Sequence, residues 1–208
     1  MFENAMIEVS ETPPSGAWLL VEEISHRVAN EYAMAVAALS VAARQTSSRE
    51  VKATLAGAAR RLRDFANLHR SLQPPASPGQ INLQAYVGDL CDSFSRARLN
   101  DRDVGLTIAG RDVFVSAERG WRVGLIVMEL VTNAVRHAFP EGKGAVSVTL
   151  DSVGGNVHCI VSDDGTAAPN AAPGRGTRIV NALAEQLDGL VWREFGNHGT
   201  TVSLYFPE

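Results

Sequence analysis

Apolar residues recur at steps of three and four between residues 17 and 45, through Val21, Ile24, Val28, Tyr32, Ala35, Leu39 and Ala42, with no Pro or Gly between them. That spacing predicts one long amphipathic helix, about 40 Å long at roughly 1.5 Å per residue. After the polar break Thr46-Ser47-Ser48 the same steps run through Val51, Leu55, Ala58, Leu62, Phe65, Leu68 or His69, and Leu72, and they stop before Pro74-Pro75. A short turn between two such helices predicts an antiparallel hairpin. Two helices leave much of each stripe wet. The stripes either dock on the rest of the chain or, as we expect, close on a second copy in a homodimeric four-helix bundle.

The pattern then changes. Residues 73 to 80, QPPASPGQ, hold three Pro and one Gly, which cannot continue a helix and read as a joint between domains. Beyond it Asn82 is placed to cap a helix through Tyr86, Val87, Leu90 and Phe94. Val104 to Ile108 reads as a strand, and Ala117 to Ala138 as a long helix ending before Pro140. Residues 145 to 150 and 156 to 162 alternate as paired strands around Gly154-Gly155. Thr177 to Leu187 reads as a helix stopped by Gly189, and 190 to 195 and 200 to 206 as closing strands. Helices and antiparallel strands are segregated, so the fold class is α+β: a helical hairpin followed by an α/β two-layer sandwich.

Composition narrows the function classes. The chain has 208 residues and a formal net charge of −4, which gives no overall electrostatic reason to bind nucleic acid or an anionic membrane. Its longest apolar stretch, Tyr32 to Ala43, is broken by Ser40 and too short to insert in a membrane, and residues 1 to 16 lack the pattern of a signal peptide. A cytoplasmic protein is expected. Cys91 and Cys159, the only cysteines, fit a reducing compartment as buried packing residues and have no metal-ligand spacing.

Four groups of residues carry candidate chemistry. On the first helix His26 lies two positions from both Ile24 and Val28 and so points away from the stripe, with Glu22 at i−4 and Asn30 at i+4. It is either a plain surface histidine or a reactive one. In the apolar helix GLIVMELVTNAVRHAFP, Glu129, Asn133 and His137 lie along one edge, joined by Arg136. Burying a carboxylate and a carboxamide there costs several kcal/mol unless they are paired, either in hydrogen bonds between helices or with hydrated Mg²⁺ and phosphates. Asp163-Asp164-Gly165 at a strand end is either a plain turn or an acceptor for an adenine amine. Gly174-Arg175-Gly176 leads into a helix start that favours a phosphate, but no dinucleotide fingerprint or P-loop accompanies it.

Taken in order, His26 on a helical hairpin, then ELVTNAVRHAFPEGKG, DDGTA, GRGTRIVNALAEQLDG and GTTVSLYFP, the chain resembles the two-component sensor histidine kinases over about residues 20 to 207. His26-Arg27-Val28 with Asn30 is similar to the phosphoacceptor box of the subgroup written His-Arg-Val-Lys-Asn, with Ala29 in place of its Lys. Glu129, Asn133 and His137 match the Asn box, Asp163 and Gly165 the first Gly box, Gly174 and Gly176 the second, and Gly199-Thr200 the closing turn near the adenine. The stretch from Thr166 to Pro173 is short for an ATP lid.

The resemblance implies a tail (residues 1–15), a dimerisation and histidine phosphotransfer hairpin (16–73), a linker (74–80) and a catalytic ATP-binding domain (81–208) of the histidine kinase ATPase type. It implies autophosphorylation of His26 from Mg-ATP and transfer to an aspartate of a response-regulator receiver domain. Asn133 would ligate Mg²⁺, Glu129 orient a metal-bound water and Asp163 read the adenine, with Arg136, His137, Gly165, Gly174, Gly176 and Thr200 completing the nucleotide site. Glu22 would orient the imidazole or accept its proton, and Asn30 would position water in the reverse reaction. With about fifteen residues before the first helix, input is expected from a separate sensor protein. The competing expectation is an ATP-independent dimeric phosphotransferase that relays phosphate between receiver domains.

Overall fold

The computed structural model describes residues 16–75, 79–140, 142–166 and 174–208, and within its first helix the side chains of Glu23 and of residues 27–45. The predicted tail and part of the linker lie outside the described residues. The hairpin consists of α1 (Gly16–Gln45) and α2 (Arg49–Ser71). Ser48 ends the turn as the N-cap of α2, its hydroxyl accepting from the Val51 N–H at 3.4 Å. The predicted stripes do face each other, yet the pair closes poorly. Of the described side chains of α1 only Ala43 is buried, and Val28, Tyr32, Ala35 and Leu39 remain half-exposed.

The second half of α2 docks on the rest of the chain. Leu68 enters the main core, the Trp121 indole N–H donates to the Leu72 carbonyl at 2.9 Å, and the Tyr86 hydroxyl donates to the Ser71 carbonyl at 3.4 Å. Burial pushes that phenol up to about 12, so it stays a donor at any physiological pH.

Beyond the joint come β1 (Gln80–Asn82), α3 (Leu83–Phe94), β2 (Asp103–Gly110), β3 (Phe114–Ser116), α4 (Ala117–His137), β4 (Lys143–Val153), β5 (Asn156–Asp163), α5 (Arg175–Glu185), β6 (Leu190–Gly196) and β7 (Gly199–Pro207). Asn82 caps α3 as its position predicts, accepting from the Ala85 N–H at 3.1 Å. A π-helical turn at Ser95–Leu99 extends α3. Among the described residues the main sheet runs β2-β4-β5-β7-β6, and β1 pairs with β3 in a separate two-stranded ribbon.

The sheet has one dry face. Val146, Val148 and Leu150 of β4, Val157, Cys159 and Val161 of β5, and Val202, Leu204 and Phe206 of β7 are buried against α3, α4 and α5, while alternate positions are open. Opposite them Val123, Ile126, Val127 and Val131 of α4 have no exposed surface. Each such side chain contributes about 1.5–3 kcal/mol. This two-layer α+β sandwich is the predicted fold class, with one pairing of a different kind: β2 and β4 are parallel, Asp103 opposite Lys143, because α4 crosses over between them. Cys91 and Cys159 are both buried in the core, and burial pushes each thiol up to about 12.

Candidate active site

α4 is apolar on the side that meets the sheet and carries its polar line at the edge of the helical layer. Four residues separate Glu129 from Asn133, so one helical turn stacks the two side chains, and the Asn133 Nδ2 donates to Glu129 Oε1 at 3.1 Å. A carboxylate only accepts, so this bond fixes which end of the amide faces Glu129 and leaves the Asn133 carbonyl oxygen turned outward. Gly176, in the first turn of α5, closes over the pair. A Cβ there would lie 1.9 Å from Glu129 Oε1 and 3.2 Å from Asn133 Nδ2, so the backbone approaches the pair only because this residue has no side chain.

The second cluster forms where β5 ends. Asp163 Oδ1 accepts from the Gly165 N–H at 3.1 Å and from the Thr200 N–H at 3.3 Å, binding the turn to the start of β7. Its other carboxylate oxygen has no partner among the described residues. Gly199 makes this crossing possible: its φ is +116°, and a Cβ there would overlap the Asp163 carbonyl at 1.8 Å. Gly165 packs as tightly, with a Cβ position 2.3 Å from the Ala138 carbonyl oxygen, and Thr166 N–H donates to that same oxygen at 2.9 Å. The first-Gly-box turn is thereby fastened to the end of α4.

Between the two clusters lies a cavity of about 490 Å³. Asn133, His137, Asp163, Gly174, Gly176 and Thr200 line it, so the fold gathers six of the nine residues that the sequence assigns to nucleotide binding. Glu129 and Gly165 stand behind this wall through the contacts above. Arg136 does not join them: three residues on from Asn133, and so about 60° round the helix from it, Arg136 lines a different cavity, beside Thr132 and Val135. The apolar walls are Leu130, Ala134, Val161, Val180 and Val202.

Besides Thr166 and Thr177, the lining includes Arg193 and Phe195, which the sequence does not assign to the site. Both lie on β6 in register with Val202 and Thr200. Arg193 donates to Asn181 Oδ1 of α5 at 3.0 Å, and burial draws its guanidinium below the ordinary value. The alternation of Val191, Arg193 and Phe195 is a signal for a shared inward face, visible once the strand is paired.

The hairpin supplies the remaining candidates. Glu22 and His26 fall within α1, and their side chains lie outside the described residues; Asn30, one turn after His26, is exposed. Residues 167–173 of the expected lid also lie outside them. No described residue of α1 lines the cavity. Among the described residues no group of three or more His, Cys, Asp or Glu could hold a metal, and no helix is long and apolar enough to cross a membrane.

An open-faced α/β sandwich with an Asn-bearing helix, two glycine turns and a cleft between them defines a histidine kinase-like ATPase, and a histidine kinase-like ATPase domain family matches residues 102–206. A second family, described as histidine kinase, matches residues 23–98. The chain belongs to the two-component histidine kinases and contains both their helical and their ATPase domains. It is 28% identical over 196 residues to the sensor histidine kinase PdtaS of Mycobacterium tuberculosis, covering 90% of this chain and 39% of that protein. It is 27% identical over 212 residues to blue-light-activated histidine kinase 2 of Erythrobacter litoralis, covering 95% and 60%. The chain thus spans about two fifths to three fifths of the length of these relatives. The solved histidine kinase domain of the Erythrobacter litoralis blue-light activated kinase EL346 superposes with a TM-score of 0.58 at 23% identity, over 86% of this chain and 95% of that one, a likeness of fold.

Proposed function

We propose that this chain is a cytoplasmic, homodimeric histidine protein kinase that phosphorylates His26 from Mg-ATP and passes the phosphoryl group to an aspartate of a response-regulator receiver domain. The observation that carries the reading is the Glu129–Asn133 pair, locked by its hydrogen bond and covered by a glycine that no other residue could replace without displacing it. The donor set fits Mg²⁺, because the outward Asn133 carbonyl is a hard oxygen ligand and the Glu129 carboxylate beside it can accept from a bound water. These are too few to cage the ion, which keeps waters and takes phosphate oxygens. When bound, that ion supplies charge neutralisation for the triphosphate.

The chain's own residues have separate tasks in this reading. Asn133 presents its carbonyl oxygen and Glu129 orients a water. The free oxygen of Asp163 accepts from the adenine amine, while the N–H groups at the start of α5, near Gly174 and Gly176, favour phosphate. His137 and Thr200 border the base and phosphate ends, and Arg193 and Phe195 add a cation and a ring to the wall. A neutral imidazole nitrogen of His26 forms a bond to the γ-phosphorus as the bond to the ADP oxygen breaks, and Glu22 takes the imidazole proton. Asn30 positions water when the phosphohistidine is hydrolysed. Transfer is chiefly a matter of positioning, which suits a site whose parts are fixed by backbone contacts.

The test is incubation of the chain with γ-labelled ATP and Mg²⁺. The expected result is acid-labile label in the wild type and none in His26→Ala or Asn133→Ala. An unlabelled wild type that accepts phosphate at His26 from a phosphorylated receiver domain would replace this reading with the ATP-independent phosphotransferase.

A further inference from the structure

Arg136 belongs by sequence to the nucleotide helix and by geometry to another place. It lines a second cavity of about 530 Å³, as large as the first, together with Arg61 and Phe65 of α2, Arg98 of the π-helical turn, and Asp101 and Arg102 that follow it. Four guanidiniums thus meet around one cavity with a single carboxylate, in a chain whose formal net charge is −4. All four side chains reach solvent, which screens their mutual repulsion, yet the cluster remains a concentration of positive charge that a polyanion would neutralise.

Three of the four cations are held in place by contacts that leave most of their donors unused. Arg61 pairs with Asp101 at 3.4 Å, Arg98 stacks over the Phe65 ring at 4.9 Å from its centre, and Arg102 donates to the Val135 carbonyl at 2.9 Å. Each guanidinium has five N–H donors in a planar fork that matches phosphate oxygens. Arg136 has no hydrogen bond or ion pair among the described residues. The cavity walls come from both parts of the molecule: α2 of the hairpin on one side, and α4 of the ATPase domain on the other. Only about 60° and 100° round α4 from Arg136, Asn133 and His137 line the nucleotide cavity.

We infer that this basic cavity is a second anion site, separate from the nucleotide cavity, that takes a compact, multiply charged phosphate compound and fastens α2 to the ATPase domain. Such a ligand would bridge guanidiniums that otherwise repel one another and would bear directly on the helix that carries the nucleotide residues. The inference does not rest on the kinase reading, since binding here needs neither ATP nor Mg²⁺.

The test is calorimetric titration of the full chain with inorganic tripolyphosphate, free of Mg²⁺ and at low salt. Saturable one-site binding is expected, weakened at least about fivefold by Arg61→Gln and by Arg98→Gln, each of which removes charge-assisted bonds. Arg63→Gln, which removes an exposed α2 arginine outside the cavity, and Thr177→Asp, which puts a carboxylate in the nucleotide cavity, should leave the affinity within about twofold. Thermal melts confirm that each variant is folded. An equal loss in Arg63→Gln would mean general attraction to a basic surface, a loss confined to Thr177→Asp would put the anion at α5, and no saturable binding would mean no site; each of these overturns the proposal.

Discussion

The Asn133 amide is oriented by what its neighbours prevent. Glu129 fixes the amide, and Gly176 covers both, so the carbonyl oxygen has one direction left. The pairing was legible in the sequence, because an i, i+4 spacing on a helix needs no tertiary information. The two glycine turns carry different burdens. Gly165→Ala drives a methyl into the Ala138 backbone and should cost about 1–3 kcal/mol of stability in urea unfolding. Gly174→Ala has open space within 4 Å and an ordinary φ of −76°, and should stay within about 0.5 kcal/mol. If both variants unfold alike, the contact at Gly165 does not constrain the turn. Arg193 and Arg136 show where residue-level reading stops. Which face of β6 turns inward is set by its register with β7, and whether a residue 60° round α4 meets one cavity or the other is set by the hairpin packed beyond it.

At the scale of elements, strongly periodic segments were readable and short ones were not. Both hairpin helices, α4 and the β4–β5 hairpin stand where the pattern puts them. β1 and β3 have three residues each, too few to display alternation, and they form because Gln80 and Ser116 meet across a ribbon that ties the start of α3 to the start of α4. The sheet's open face holds its own pH dependence. His158 on β5 stacks on Tyr205 of β7 with ring centres 3.9 Å apart, and its Nε2 is buried without a hydrogen-bond partner. Desolvation pulls the imidazole below its ordinary value near 6.5, and Asp151 opposite partly opposes this. A depressed folded value means the unfolded chain takes the proton first as pH falls. The stability present above about pH 6.5 is therefore lost as pH drops from there through the folded value. Denaturant midpoints should fall over that interval in the wild type and flatten in His158→Phe. A wild-type profile that stays level there would contradict the burial argument.

At the scale of the molecule, the hairpin is the incomplete part. α2 finishes its packing on the ATPase domain through Leu68, Phe65 and the Trp121 bond, but α1 keeps its stripe half-wet at Val28, Tyr32, Ala35 and Leu39 and carries a second apolar run outside the stripe, with Met34 65% and Val41 43% exposed. We expect a second copy to cover it. Sedimentation at micromolar concentration should show a dimer that shifts toward monomer in Met34→Glu with Val41→Glu, and a monomeric wild type would remove the bundle. The proposed phosphorylation requires the hairpin to reach the nucleotide cavity, since the candidate phosphoacceptor His26 lies on α1 and the candidate ATP-binding residues line the cleft. The most direct measurement is the site of phosphorylation: incubation with Mg-ATP, digestion under alkaline conditions that preserve phosphohistidine, and mass spectrometry of the peptide spanning residues 24 to 27. The phosphoryl group is expected on His26 and is expected to be absent in Asn133→Ala. Phosphate on Ser25 in place of His26, or on His26 regardless of Asn133, would contradict the proposed phosphorylation.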